Sequence, residues 1–225
     1  MKAFLYLTFG ILLFGLSGCI EIIDDLTLNE DGSGTFKYNV NLSASKAKVN
    51  SILALDSLDG RKVPSLDEIK NRIESISQKL REQPGITHVE VDSNFDDYII
   101  KISCDFNSLN ALQVAIKNIV KEETKKTELN ELDHQWVSFQ NGVMKRSIPQ
   151  ITIRQSKQIN QSDQELLKNG TYTSITRFNK EIDSFENQNA MLSKNKKAIL
   201  LRTDPYTLTH NPNLLDNTIT LSSGR

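Results

Sequence analysis

The sequence predicts an α+β fold: an antiparallel sheet built from hairpins, covered by two to three amphipathic helices. Three observations indicate this class. Segments with a period of two occur in pairs around turn residues, helical segments occur in separate runs, and the C-terminal part is rich in strand-like segments. The 225 residues are enough for one large or two small domains, each with its own core.

The first predicted hairpin surrounds the turn sequence DGSG at residues 31–34. Before the turn, Leu26 and Leu28 share a face, and after it apolar and polar residues alternate from Phe36 to Leu42. Glycine supplies the positive φ of a tight turn without steric cost. A calcium-binding loop is not indicated, because Tyr38 stands where an EF-hand needs a bidentate glutamate.

Three helical segments are predicted in the first half of the chain. They run from Ser43 to about Leu58, from the capping box at residues 65–68 to Leu80, and from Leu109 to the mixed-charge run KEETKKTE. Strands around Val89–Val91 and over Tyr98–Phe106 lie between the second and third helices.

The C-terminal part is predicted to be β-rich. Its expected strands lie near residues 134–140, 143–154, 171–178, 197–203 and 217–222, and the polar stretch 155–164 is expected to be a loop. We therefore expect a single α+β domain over residues 19–225. A β-rich subdomain at about 134–225 is the alternative that the sequence leaves open.

Composition excludes several classes of protein. Lys and Arg total 27 against 28 for Asp and Glu, and this near-neutral balance argues against a nucleic-acid partner. The chain has two cysteines, Cys19 and Cys104, which excludes a disulfide-rich scaffold and a four-cysteine zinc site.

The N-terminus has the pattern of a secretory signal. Lys2 is followed by an apolar run from Ala3 to Leu16, which is short for a membrane-spanning helix. Leu16-Ser17-Gly18-Cys19 then resembles the lipobox of bacterial lipoproteins in all four positions. The resemblance implies a signal peptide over residues 1–18 that is cleaved after Gly18, a diacylglyceryl group on the Cys19 thiol, and usually a further acyl chain such as palmitate on the new amino group.

Two or three acyl chains would hold the protein on a membrane almost permanently, since each buried methylene contributes roughly 0.8 kcal/mol. The expected location is the cell envelope, on the non-cytoplasmic (periplasmic) side of a bacterial membrane, with the inner or outer membrane left open. The alternatives are a plain secretory signal with a chance cysteine and a transmembrane anchor.

The connection between the lipidated residue and the fold is predicted to be short. Only residues 20–25 separate Cys19 from the strand predicted at Leu26, a reach of roughly 20 Å when extended. We therefore expect the domain to lie close to the bilayer.

No motif for catalysis is found, so we expect no catalytic residues, no metal, no cofactor and no enzymatic activity. Cys104 alternates with apolar residues and is interpreted as an inert packing thiol. His88, His134 and His210 lack metal-ligand spacing, and nucleophile motifs such as GxSxG are absent. An enzyme with a dispersed active site remains an alternative, because catalytic groups can assemble from distant residues.

Two further features have both a structural and a functional interpretation. The basic run SKNKK at residues 193–197 is either a solvated turn or a contact for anionic head groups. Four aromatic residues are expected to pack in the core first and to line a ligand pocket second: Trp136, Phe139, Tyr172 and Phe178.

Two segments also resemble LppM-like bacterial lipoproteins. They are LTLNEDGSGTF at Leu26–Phe36, just after the lipobox, and NAMLSKNKKAILLRTDP at Asn189–Pro205. The resemblance implies an α+β envelope domain that handles lipid or glycolipid, and it carries no site residue across.

The expected function is therefore that of a membrane-anchored envelope lipoprotein, a non-catalytic binding or scaffold domain close to the membrane surface. Its partner beyond the membrane would be an envelope protein or a lipid. The alternative is a carrier or sensor of a lipid or other apolar ligand, held between the sheet and the helices. That alternative requires an apolar pocket of roughly 300 Å³ or more.

Overall fold

The computed structural model describes residues 20–58, 60–124, 135–147, 164 and 167–223. Within these residues the strands form a seven-stranded sheet, a four-stranded sheet and a small two-stranded hairpin, and they are accompanied by four α-helices. The α+β class predicted from the sequence is confirmed.

The strands are β1 (Glu21–Leu28), β2 (Gly34–Asn41), β3 (Ser57–Leu58), β4 (Arg61–Lys62), β5 (Ile86–Asn94), β6 (Ile99–Phe106), β7 (Val137–Gln140), β8 (Val143–Arg146), β9 (Thr171–Phe178), β10 (Ile182–Phe185), β11 (Met191–Leu192), β12 (Ala198–Thr203) and β13 (Asn217–Leu221). The helices are α1 (Lys46–Leu53), α2 (Leu66–Arg81), α3 (Leu109–Thr124) and α4 (Pro205–His210), with short 3-10 helices at Ser43–Ser45 and Pro212–Leu215.

The large sheet has the strand order β11-β12-β9-β1-β2-β6-β5. All neighbours in it are antiparallel except β1 and β9, which are parallel. The sequence predicts only antiparallel pairing, and the parallel pair is the difference. It arises because Thr171 enters the sheet beside Ile20 and donates its N–H to the Ile20 carbonyl at 2.7 Å. A pairing between segments so far apart in sequence leaves no local signal.

One face of the large sheet, the inner face, is covered by helices α2 and α3 and by the small sheet β10-β13-β8-β7. Buried side chains from all these elements form one apolar cluster. It includes Leu26, Leu28, Leu80, Cys104, Phe106, Leu112, Ala115, Val137, Met144, Phe178 and Ile219. A smaller cluster joins β12 to α4 and the 3-10 helix at Pro212–Leu215.

Helix α2 begins as the sequence predicts. The Ser65 side chain accepts a hydrogen bond from the Glu68 N–H at 3.1 Å, and the Glu68 carboxylate accepts one from the Ser65 N–H at 2.8 Å. This reciprocal capping box satisfies two backbone donors that have no partner in the first turn. Ion pairs from Glu123 of α3 to Arg72 and Lys79 then connect the two helices.

The first predicted helix is too long. The sequence predicts a helix that reaches about Leu58, but α1 ends at Leu53 and residues 57–58 form a strand of the β3–β4 hairpin. Helix α1 has no fully buried residue, so tertiary packing does not stabilise a longer helix. The sequence does not predict β10 or α4, although Asp204 before Pro205 is a helix-start signal and its side chain accepts from the Thr207 N–H at 2.7 Å.

The C-terminal strands are divided between the two sheets. Strands β9, β11 and β12 belong to the large sheet, whereas β7, β8, β10 and β13 form the small one. The predicted strand at 143–154 is observed as Val143–Arg146, and its remainder beyond residue 147, together with nearly all of the predicted loop at 155–164, lies outside the described residues. The domain boundaries stay a prediction.

Among the residues that the structure describes, no helix combines the length and the apolar character needed to cross a membrane.

Candidate functional site

The start of strand β1 connects the predicted anchor to the fold. Hydrogen bonding to Thr171 begins at Ile20, and the strand begins at Glu21, five residues before the predicted strand residue Leu26. The predicted lipidation residue Cys19 and the cleavage residue Gly18 lie outside the described residues. Only Ile20 lies between the predicted lipidation residue and β1, a reach of roughly 7 Å along an extended chain, so the connection is shorter than the sequence predicts.

The outer face of the large sheet contains a groove of about 430 Å³. The side chains that the strand alternation directs to this face come from five neighbouring strands. They are Ile175 on β9, Ile23 and Asp25 on β1, Lys37 and Asn39 on β2, Lys101 and Ser103 on β6, and Glu90 and Asp92 on β5. We call this set the outer groove.

The floor of the outer groove holds an unsatisfied polar atom. The Asn39 side-chain oxygen is buried and has no hydrogen-bond partner among the described residues. Such an atom costs free energy unless a donor reaches it, and it is rare in native structures. The groove therefore offers an acceptor to an incoming N–H or O–H group.

The charges of the outer groove are of two kinds. Lys101 pairs with Asp92 at 2.8 Å, and Arg177 pairs with Asp25 through Nε at 2.9 and 3.0 Å. Lys37 and Glu90, in contrast, have no charged partner in the part of the chain that the structure describes.

Lys37 and Glu90 face the same side of the sheet with Ser103 between them, because Lys37 pairs with Ser103 across β2–β6 and Ser103 pairs with Glu90 across β5–β6. Their backbones are two strand spacings apart, roughly 10 Å. The arrangement presents a free ammonium group and a free carboxylate on either side of a hydroxyl, with the Asn39 oxygen beside them. It suits a polar ligand that carries both charges or several hydrogen-bond donors.

A second cavity, of about 180 Å³, lies between the inner face and helices α2 and α3. Its lining includes Phe36, Ile76, Leu80, Leu112, Ile116 and Ile119, and it is apolar throughout. We call it the inner cavity. Its volume is below the roughly 300 Å³ that the apolar-ligand alternative requires.

A buried ion pair connects the two sheets beside the inner cavity. Asp24 on β1 is 3% exposed and receives a hydrogen bond at 2.7 Å from the guanidinium of Arg146 on β8. Tyr172 donates its hydroxyl to the same carboxylate, and Ser174 does so at 3.2 Å. Burial, and then the Asp24 charge, raise the pKa of Tyr172 well above its ordinary value. The complete set of partners indicates a structural joint.

Cys104 is buried, as predicted, at 2% exposure in the main core cluster. Burial, followed by the nearby Asp105 charge, raises the pKa of its thiol to about 11. The thiol is therefore protonated at neutral pH, and thiolate chemistry is not available to it.

The described histidines do not form a site together. His88 lies on the exposed edge strand β5 and its Nδ1 is 3.0 Å from an Asp105 carboxylate oxygen. His210 ends helix α4, where its ring lies 4.1 Å from that of Tyr206. His134 lies outside the described residues. In the described ranges no cluster of three or more His, Cys, Asp or Glu residues could hold a metal ion. The absence of catalysis stays a prediction.

The aromatic residues have the core positions that were predicted. Phe178 is buried and its ring centroid lies 6.4 Å from that of Phe139, while Trp136 packs against the same cluster. Tyr172 packs in the smaller cluster and binds Asp24. None of these four lines either of the two cavities described above.

The sequence assigns six residues of the outer groove to the polar faces of their strands but does not place them together, and it assigns Ile23 and Asp25 to the connection before the first strand. The period of two puts Lys37, Asn39, Lys101 and Ser103 opposite the apolar residues. Long-range pairing determines which strands are neighbours. It also determines the register that puts Glu90 opposite Ser103. Paired polar faces on adjacent predicted hairpins are the one signal that could have indicated a shared surface.

Comparison with solved structures finds distant likenesses to this chain. A solved structure similar to this chain is the NMR structure of the folded domain of the LppM protein of Mycobacterium tuberculosis. It has 10% sequence identity and a TM-score of 0.40, and 92% of each chain is covered. At this TM-score and identity the likeness carries no family, residue or activity over to this chain. No family model and no curated protein matches the chain.

Proposed function

We propose that the protein is a bacterial envelope lipoprotein, anchored through lipid on Cys19 to the non-cytoplasmic side of a membrane, and that it acts as a non-catalytic binding domain through the outer groove. One observation carries the proposal. Strand β1 follows the lipobox cysteine after a single residue and supplies two residues of the groove, Ile23 and Asp25. The anchor and the groove therefore share one strand.

The short distance between Cys19 and the groove supports a position of the groove near the bilayer. Ile23 is four residues from Cys19, which corresponds to roughly 13 Å along a strand. A rigid strand replaces the flexible tether that would let a domain move away from its anchor. The ligand or partner would accordingly be met at the membrane surface.

The chemistry of the groove favours a polar partner. Lys37 can meet an anionic group, Glu90 a cationic one, and the Asn39 oxygen a hydrogen-bond donor. The proposed partner is a ligand, or an exposed part of an envelope molecule, that is neutral overall and carries groups of both signs.

Anchoring is tested by labelling growing cells with a palmitate analogue. The wild-type protein should take up the label and fractionate with membranes, and Cys19→Ala should do neither. Label on the Cys19→Ala protein would contradict the proposal.

The groove is tested by placing a photo-crosslinking amino acid at Lys37 and, as a control, at Lys48 on the exposed side of α1. Lys37 should give a discrete adduct in cells that Lys48 does not give. Glu90→Gln should weaken this adduct, whereas Glu186→Gln, an exposed glutamate outside the groove, should not. Equal adducts from both positions would contradict the proposal. An adduct at position 37 that is unchanged in the Cys19→Ala protein would contradict it as well.

A second candidate function is the carrier or sensor of an apolar ligand. The observation in favour of this function is the apolar lining of the inner cavity. We rank the function second because the cavity volume of about 180 Å³ is below the usual volume of a ligand pocket. Native mass spectrometry of the purified protein distinguishes the two functions. A bound lipid that is lost on Ile116→Trp, which fills the cavity, would favour the carrier over the groove.

A further inference from the structure

The basic run at residues 193–197 forms the tip of the β11–β12 hairpin at one edge of the large sheet. We call it the lysine tip. Its three lysines, Lys194, Lys196 and Lys197, are exposed. None of them has a carboxylate partner among the described residues, so their charges are free to meet an external anion.

The backbone of the lysine tip is held firmly. The Ser193 N–H donates to the Ala198 carbonyl at 2.9 Å, and the Lys197 N–H donates to the Asn195 side chain at 3.1 Å. The Lys196 and Lys197 carbonyls accept hydrogen bonds from Ile182 at 2.7 Å and Phe178 at 2.8 Å. A tip fixed in this way loses little backbone entropy on binding, which favours a binding surface over a merely solvated turn.

Apolar side chains flank the lysines. Met191 is 57% exposed and Leu192 is 38% exposed, and both precede the tip directly. Exposed large apolar residues beside lysines are typical of segments that enter the head-group region of an anionic lipid surface. A purely acidic protein or a soluble polyanion would leave Met191 and Leu192 without a role.

The lysine tip lies at the end of the sheet opposite the anchor. Thr203 of β12 is paired with Tyr172 near Ile20, whereas Ala198 is paired with Arg177, beside the Leu28 end of β1. The eight residues of β1 separate the two ends by roughly 26 Å. A bilayer that holds Cys19 beneath an upright sheet therefore does not reach the tip.

We propose that the lysine tip, with Met191 and Leu192, docks on an anionic phospholipid surface that faces the anchoring one. That the docked surface faces the anchoring one rests on the proposed function, whereas docking on an anionic surface does not. Each lysine contributes about a five-fold gain in affinity, so removal of all three should weaken docking on the order of 100-fold. Docking should also weaken as salt is raised, because exposed charges are screened.

The test uses the full lipidated protein in vesicles of pure phosphatidylcholine, mixed with labelled acceptor vesicles that contain 30% phosphatidylglycerol. We expect the acceptor vesicles to associate with the protein-bearing ones, and acceptors of pure phosphatidylcholine not to. The variant Lys194→Gln/Lys196→Asn/Lys197→Gln should lose this association. Asparagine is chosen at 196 because that residue has a φ of 57°.

The matched control removes three positive charges elsewhere. Lys48→Gln/Arg61→Gln/Lys145→Gln changes exposed residues of α1, β4 and β8 and should leave acceptor association unchanged. Equal loss in both variants, association with neutral acceptors, or binding only when the anionic lipid is in the anchoring vesicle would each overturn the inference.

Failure of the anchor is distinguishable from failure of the tip. Protein that does not float with its own phosphatidylcholine vesicles contradicts the proposed anchoring. In that case Cys19→Ala protein is floated directly with anionic vesicles, where the lysine variant should bind on the order of 100-fold more weakly. If the Cys19→Ala protein floats equally well with and without the three lysine substitutions, the docking inference is overturned, whether or not the anchor forms.

Discussion

Asp24 and Asp25 are adjacent on β1 and point to opposite faces of the large sheet, where they form two very different ion pairs. Asp24 faces inward to Arg146, whose side chain is 9% exposed, and joins the two sheets. Asp25 faces outward to Arg177, whose side chain is 48% exposed, and forms part of the groove wall. The inner pair is buried between the two sheets, whereas the outer pair lies at the surface beside the outer groove.

The largest difference should appear on removal of the inner carboxylate. Asp24→Ala leaves the Arg146 guanidinium buried without its counter-charge and removes the acceptor of the Tyr172 hydroxyl. We expect the free energy of unfolding to fall by about 3–5 kcal/mol. Urea denaturation measures this, and a loss below about 1 kcal/mol would show that the pair is not a structural joint.

A triple variant replaces Asp24, Arg146 and Tyr172 with apolar residues. Asp24→Leu/Arg146→Met/Tyr172→Phe removes both charges and the Tyr172 hydroxyl, and leaves only the hydroxyls of Ser174 and Thr176, which bind the pair in the wild-type protein. Because no buried charge is left unpaired, most of the stability lost in Asp24→Ala should return. A triple variant as unstable as the single one would mean that the pair contributes attraction beyond its own desolvation. The same denaturation series gives the answer.

Burial on the inner face also predicts a dependence on pH. The pKa of Cys104 is raised from 9.0 to about 11, so between these values the unfolded chain releases a proton that the folded chain keeps. Stability from this group is complete below pH 9 and is lost as the pH rises towards 11, by about 2–3 kcal/mol.

The control for this effect is Cys104→Ala, which removes the thiol. Denaturation at pH 8 and pH 11 should show that the wild-type protein loses about 2–3 kcal/mol more than the variant over this range. Parallel losses in the two proteins would contradict a buried, protonated thiol.

The smallest effect is expected on the outer face. Asp25→Ala breaks a half-exposed pair with Arg177 and should lower the free energy of unfolding by about 0.2–1 kcal/mol. The difference should shrink in 1 M salt, where exposed charges are screened, while the Asp24→Ala difference should not. Urea denaturation of both variants at two salt concentrations measures these losses. Equal effects of salt on the two losses would contradict the difference between the inner and the outer pair.

The sequence predicts the features that depend on local chemistry. The capping box at Ser65 and Glu68 and the turn at residues 31–34 are observed as expected, because neighbouring residues determine them. Residues 20–25 are expected from the sequence to connect the predicted anchor to the first strand. Residues 21–25 belong to β1 because they pair with β2 on one side and with β9 on the other, and the Asp24 side chain in this part of β1 meets Arg146, which is 122 positions later in the chain.

The candidate site was less accessible to sequence analysis. The outer groove requires the neighbours of β1, namely β9 on one side and β2 on the other, and β9 is about 150 residues from β1 in the chain. Polar alternation assigned Lys37 and Asn39 to an outer face, but only the register brings Glu90 and Ser103 beside them. Long-range pairing is therefore the part that local patterns could not supply.

The central claim, a groove fixed near the bilayer by the strand that carries the anchor, is tested most directly by two distances. Fluorescent donors are placed on cysteines introduced at Lys101 in the groove and at Asn195 in the lysine tip, with acceptors at the surface of a neutral bilayer that holds the lipidated protein. We predict stronger energy transfer from position 101 than from 195, and none from either when Cys19 is changed to Ala. Equal transfer from both positions, or transfer that persists without Cys19, would contradict the account.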